Sequence, residues 1–247
     1  MNAPHAPSFL GAVDMAPRDP ILGITEAFNA DTNPKKVNLG VGVYTDDNGK
    51  VPLLECVKRA EAQIVAQSTP WTYLPIDGLA AYDKAVQGLL FGADGEIVTA
   101  GRACTVQALG GTGGLRVGAD FLRRFAPGAQ VWISDPSWEN HRALFEAAGF
   151  TVNAYPYYHA PTKGLDFDGM IGALSRAPEG HVVVLHACCH NPTGADPTRE
   201  QWDRILAVVR ERGLVPFLDI AYQGFGDGID DDGEIVRRFG ATPGPLL

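Results

Sequence analysis

The chain has 247 residues, of which 45% are hydrophobic and 20% charged, an ordinary balance for a globular protein with room for one large domain or two small ones. Its formal charge of -9, with no run of Lys or Arg, argues against nucleic acid or an anionic membrane as a partner. No apolar stretch reaches membrane-spanning length, and the opening MNAPHAPSF lacks the basic start and apolar core of a signal peptide, so cytoplasmic residence is expected.

Residues 1 to 36 are rich in Pro, Ala and Asp. Only Ile21, Leu22, Ile24, Ala27 and Phe28 offer a short helical face, which predicts an arm too poor in core residues to fold alone. Val37 to Tyr44 alternates in part and runs into Asp47-Asn48-Gly49, a hairpin-type turn. Gly40 and Gly42 either let another group approach the backbone or relieve crowding in a strand. Helices are predicted over Leu54 to Gln67 and Leu79 to Leu90. The loop between them carries Trp71, Tyr73 and Pro75-Ile76-Asp77-Gly78, and Tyr73 by itself reads as an aromatic packed under a loop.

Gly110 to Gly114 precedes a helix-like segment whose Leu115, Phe121, Leu122 and Phe125 are expected to lie toward the core. A Gly-rich loop entering a helix presents backbone N–H groups to an anion, although a plain turn has the same composition. Gln130 to Ser134 is the next strand, with Asp135 to His141 at its carboxyl end. There Trp138 either stacks on a flat cationic group or fills the core. Thr151 to Tyr158 forms a further strand, and Phe167, Met170, Ile171 and Leu174 make an amphipathic helix.

The stretch His186 to Gly228 organises the rest. Val182 to Leu185 is a continuous apolar run rich in β-branched valine, as a strand buried on both faces requires. Thr198 stands three residues before Gln201, the spacing of a capping box, and Trp202, Ile205, Leu206 and Val209 repeat at helical spacing. Leu214 to Ile220 is again apolar, interrupted only by Pro216 and Asp219. The alternation of β and α predicts a three-layer α/β fold with a mostly parallel sheet. In such sheets ligands bind outside the carboxyl ends of the strands, which brings Asn191, Asp219 and Tyr222 together. An acid, a phenol and a carboxamide suit a flat heteroaromatic cofactor with a ring nitrogen and a ring oxygen, such as pyridoxal phosphate.

The cysteines, Cys56, Cys104, Cys188 and Cys189, show no C-x-x-C spacing and fit reduced thiols. On a strand His186, Cys188 and His190 would share a face, but three candidates on one strand serve tetrahedral geometry poorly, so no metal site is expected. The constellation of a Rossmann dehydrogenase, G-x-G-x-x-G after the first strand with an acid about 20 residues on, is absent.

HACCHNPTGADPTREQW followed by PFLDIAYQGF resembles the class I aminotransferases of the aspartate and aromatic amino-acid type. NLGVGVY, YLPIDGL, LGGTGGLRVGADFL and SDPSWENH extend the resemblance from Pro17 to about Phe239. It implies the type I pyridoxal-phosphate fold, with an arm and part of a small domain in residues 1–50 and a cofactor-binding large domain in 51–247. It further implies a homodimer acting on amino acids and 2-oxo acids such as 2-oxoglutarate.

Residue by residue, the resemblance gives the cofactor phosphate to Gly111, Thr112 and, across a dimer, Tyr73. Trp138 stacks on the ring, Asp219 meets its nitrogen, and Asn191 and Tyr222 meet its oxygen. Gly42, Trp138 and Asn191 face the substrate. His141 hydrogen-bonds Asp219, with His186 beside it. The motifs lie closer to the aromatic branch. The family's catalytic lysine, in an S-x-S-K-type loop, would come later than the last residue, and none of Lys35, Lys36, Lys50, Lys58, Lys84 and Lys163 lies in a matching motif. The expectation is therefore a cofactor cradle without its nucleophile, belonging to a longer enzyme. The alternative is an inactive remnant that dimerises or holds cofactor.

Overall fold

The structure is a computed structural model that describes residues 11, 13, 20–37, 42–70 and 72–247. The opening nonapeptide, Gly40 and Trp71 lie outside the described residues. The chain divides into two compact units, 1–71 and 72–247.

In the first unit, α1 spans Pro20–Ala30 and α2 spans Glu55–Gln67. The Asp46 side chain accepts from the backbone N–H groups of Asn48 and Lys50, closing the turn predicted at Asp47-Asn48-Gly49. The expected flanking strand is not formed by residues 42–46, which pair with no ladder partner among the described residues. None of the described residues of this unit is buried, in keeping with its shortage of core side chains.

The second unit begins with α3 (Ala80–Phe91), α4 (Glu96–Thr99) and α5 (Gly110–Phe125). It continues through β1 (Val131–Asp135), α6 (Glu139–Ala147), β2 (Val152–Pro156), β3 (Tyr158–His159), β4 (Gly164–Leu165) and α7 (Phe167–Leu174). β5 (Val182–His186), α8 (Arg199–Glu211), β6 (Val215–Asp219), α9 (Ile229–Asp232) and α10 (Glu234–Ala241) complete it. The segment predicted as one strand over 151–158 is broken at Tyr157, whose side chain turns into the core while Tyr158 and His159 pair antiparallel with β4.

The main sheet has the order β2-β1-β5-β6, and every pairing is parallel. Alternation along the strands supplies two cores. Val183 and Leu185 face Met170, Leu174, Trp202, Ile205, Val209 and Phe239 from α7, α8 and α10. Val182 and Val184 face Leu115, Ala119 and Leu122 of α5 with Leu144 and Phe145 of α6. Helices thus cover both faces, giving the three layers expected.

Two details follow from local chemistry. The capping box of α8 is complete: Thr198 Oγ1 accepts from Gln201 N at 3.3 Å, and Gln201 Oε1 accepts from Thr198 N at 2.8 Å. Pro216, which cannot donate to a ladder, sits on the last strand of the sheet, where its carbonyl accepts from Leu247 N and Leu218 N donates to Leu247 O.

In α5 the buried positions are Leu115, Ala119 and Leu122, spaced i, i+4, i+7, whereas Phe121 and Phe125 are 54% and 67% exposed. The aromatic pair expected in the core falls on another face of the helix.

Candidate functional site

From β1 the chain leaves toward β2, and from the neighbouring β5 it leaves toward β6, so the β1/β5 boundary is the switch point at which open α/β sheets bind ligands. A cavity of about 150 Å³ is lined there by Gly111, Leu115, Trp138, His186, Cys188, Cys189, Asn191, Asp219, Ala221 and Tyr222. His186 and Asp219 are the last residues of β5 and β6 and are paired in register. Trp138 stands immediately before the first residue of α6, and Asn191 precedes a cis proline in the loop after β5. The amino end of α5, which no side chain caps, reaches the cavity through Gly111.

Behind the cavity runs a chain of hydrogen bonds with one proton arrangement for neutral rings. Asn191 N–H donates to His186 Nδ1 at 3.2 Å, so the proton of His186 is on Nε2, 3.4 Å from Ser137 Oγ. Ser137 in turn donates to His141 Nδ1 at 2.9 Å, which leaves His141 Nε2–H to donate to Asp219 Oδ2 at 2.8 Å. The His141 side chain is fully buried and that of Asp219 is 21% exposed. The acid is thus held from the protein side while its residue lines the cavity.

The aromatic packing around this chain is dense. The His141 ring meets those of Trp138 and His186 edge-on, with centroids at 5.4 and 5.0 Å. His190 stacks between His186 at 4.1 Å and Tyr157 at 3.8 Å. Burial, reinforced by the neighbouring His141, pushes His186 down to about 4, partly opposed by Asp219. Burial and the adjacent imidazoles bring His190 to about 3. Both rings are therefore neutral near pH 7. Burial pushes the Cys188 thiol up to about 12 and raises that of Cys189.

The residues singled out in the sequence divide clearly. Gly111, Trp138, His186, Asn191, Asp219 and Tyr222 share the cavity, with His141 behind Asp219. Thr112 lies in the same helical turn but is exposed and does not line it, because Gly111 and Leu115 repeat on one face and Thr112 is turned away from them. The glycines predicted as a loop ahead of the helix are the first turn of α5 itself. Tyr73 is 99% exposed and does not line the cavity. Gly42 belongs to the first unit, where a Cβ would meet nothing within 4 Å. The face expected to gather His186, Cys188 and His190 is split, because the strand ends at His186 and Cys188 turns toward Cys189 and Asp232.

Sequence reasoning passed over Ser137, which links two imidazoles, and Tyr157, which stacks on a third. The spacing of Ser137 four residues before His141 was the available signal for the first. Tyr157, one of three tyrosines in the segment 151–158, carried no such signal for the second.

Residues 34–245 match the family model described as aminotransferase class I and II. The chain belongs to this family. The aspartate aminotransferase of Pseudomonas aeruginosa is 58% identical over 232 residues, 94% of this chain and 58% of that protein. The aromatic-amino-acid aminotransferase of Escherichia coli is 47% identical over 95% of this chain and 59% of its own length. Among solved structures, the aromatic-amino-acid aminotransferase from Burkholderia pseudomallei, covalently bound to pyridoxal phosphate, has a TM-score of 0.93 at 61% identity, covering 97% of this chain and 60% of that one. The chain thus spans about three-fifths of the length of these aminotransferases.

Proposed function

We propose that this chain provides the pyridoxal-phosphate cradle of an aminotransferase that moves amino groups between aspartate or aromatic amino acids and 2-oxoglutarate. The observation that carries the reading is the pairing of Asp219 with the buried His141 at the floor of the switch-point cavity. The donor set fits the cofactor. Asp219 is an anion suited to keeping a proton on a ring nitrogen, and the amino end of α5 at Gly111, with Thr112 in its first turn, suits a phosphate. Trp138 gives an aromatic face, while the Asn191 amide and Tyr222 phenol supply donors for a ring oxygen.

Bound pyridoxal phosphate supplies an aldehyde and an electron-withdrawing ring, the chemistry that amino-group exchange needs. The protein's share is positioning: His141 fixes the Asp219 carboxylate, Ser137 and His186 fix His141, and Trp138 would cover the ring and exclude water. At about 150 Å³ the cavity is below the roughly 300–1,000 Å³ of typical small-molecule sites. Tyr73, exposed at the start of the second unit, and Gly42 are proposed to serve the assembled homodimer, Tyr73 at the phosphate and Gly42 at the substrate.

Absorbance titration with pyridoxal phosphate tests the reading. Saturable binding weakened by Asp219→Asn and by Trp138→Ala is expected; binding indifferent to both substitutions would overturn it.

A further inference from the structure

Cys188 and Cys189 have no part in the reading above, yet their two Sγ atoms and a carboxylate oxygen of Asp232 all lie within 4.8 Å of one another. Consecutive side chains of an extended strand point to opposite faces. Here Cys189 adopts φ 51, and the turn of the backbone brings adjacent thiols to the same side. Asp232 is fixed opposite them: its Oδ2 accepts from Gly224 N at 2.7 Å and Gly226 N at 3.0 Å, and its Oδ1 from Asp227 N at 2.8 Å. These bonds anchor the carboxylate where one of its oxygens lies within reach of both sulfurs.

The space between the groups is kept open by a glycine. A Cβ at Gly226 would stand 2.6 Å from Asp232 Oδ1 and 3.2 Å from Cys189 Sγ. Beyond it lies a second cavity of about 150 Å³, where Cys188 and Asp232 are joined by Asp196, Asp227, Asp231 and Glu234. Arg199 is the cationic side chain on that wall, and it is paired with Asp231 and Glu234. The surroundings favour a cation, and the two sulfurs favour a soft one.

We propose that Cys188, Cys189 and Asp232 form a binding site for a soft divalent cation of the zinc or cadmium class, with water in the fourth position. Each ligating thiol gives its proton to solvent on binding. Because Cys188 and Cys189 also line the switch-point cavity and immediately precede His190 and Asn191, an ion held there ties down one wall of the cofactor site. The site stands whether or not the cofactor reading holds.

The test uses the full chain with cadmium or zinc alone, in a Cys56→Ser/Cys104→Ser background that removes the two exposed thiols. One cadmium per chain is expected, with a sulfur-to-cadmium charge-transfer band, and X-ray absorption of the zinc form should show two sulfurs with oxygens. Cys189→Ser should weaken binding by on the order of tenfold to a hundredfold, the range seen when even a supporting residue of a metal site is lost. Circular dichroism establishes that this variant is folded, and the absorption spectrum of the unsubstituted pair reports independently of it. No uptake, a shell with fewer than two sulfurs, binding unchanged by Cys189→Ser, or uptake that disappears with Cys56 and Cys104 would each overturn the proposal.

Discussion

His141 Nε2 donates to Asp219 Oδ2 at 2.8 Å, although it is His186 that faces Asp219 in strand register. The acid at the end of β6 is held from α6, across the strand ends, and this frees the cavity side for a ligand. Charge and support can therefore be separated by mutation. Asp219→Asn keeps an acceptor for His141 and removes the charge. A hydrogen bond to a charged group is worth roughly 1.5–3 kcal/mol, so pyridoxal phosphate should bind about 10- to 100-fold more weakly with little change in unfolding midpoint. Equal affinity in the two proteins would remove Asp219 from the cofactor.

The neutral histidines set a pH dependence. His186 and His190 lie at about 4 and about 3 in the folded chain, against an ordinary 6.5. Between those values the unfolded chain binds more protons than the folded one, so stability rises with pH through this window. The contribution is complete above about 6.5 and is lost as pH falls toward 3. Urea midpoints should already decline between pH 6.5 and 5, above the carboxylate range near 4. A flat profile there would show that neither ring is held neutral by the fold.

Much of the site was legible because strand ends are marked in sequence. The valine-rich run at 182–185 is a strand buried throughout, the apolar run ending at Asp219 is a partly buried strand paired parallel to it, and their carboxyl ends had to meet. The capping box at Thr198 was readable for the same reason, being a local device. What escaped depends on non-local geometry. The helical phase that turns Thr112 away from the cavity is set by where α5 begins, and the four glycines that flank Thr112 conceal that point. The meeting of Cys188 and Cys189 with Asp232 depends on one left-handed residue, which cysteine does not advertise.

The capping box offers a control remote from the cavity. Thr198→Ala removes the side-chain acceptor for Gln201 N and half of a reciprocal pair. Loss of such a cap costs about 1 kcal/mol. Denaturant unfolding should report that loss while cofactor affinity stays unchanged. A larger effect on binding than on stability would mean that α8 is coupled to the site.

Gly118→Ala should destabilise the fold, contrary to what helix propensity alone indicates. Gly118 lies within α5, where replacing glycine by alanine ordinarily gains roughly 0.8–1 kcal/mol. The added Cβ, however, would stand 2.8 Å from Phe217 Cε2 and 2.9 Å from its Cζ. Those atoms belong to a ring that cannot easily withdraw: Phe217 is 6% exposed and meets Phe145 edge-on at 5.5 Å, and Phe145 is itself fully buried. Relief therefore requires α5 to move off the sheet. Overpacking of this kind costs about 1–3 kcal/mol, which equals or exceeds the propensity gain. Because α5 also carries Gly111 to the cavity, any shift of the helix should be felt there as weaker binding of the cofactor phosphate. Gly118→Ala measured beside a Phe217→Leu/Gly118→Ala double variant separates the terms, since the smaller side chain removes the clash. The expected result is a single variant less stable than the parent and a double variant less damaged than the sum of its two changes. A single variant more stable than the parent would show that α5 stands farther from Phe217 than the structure places it.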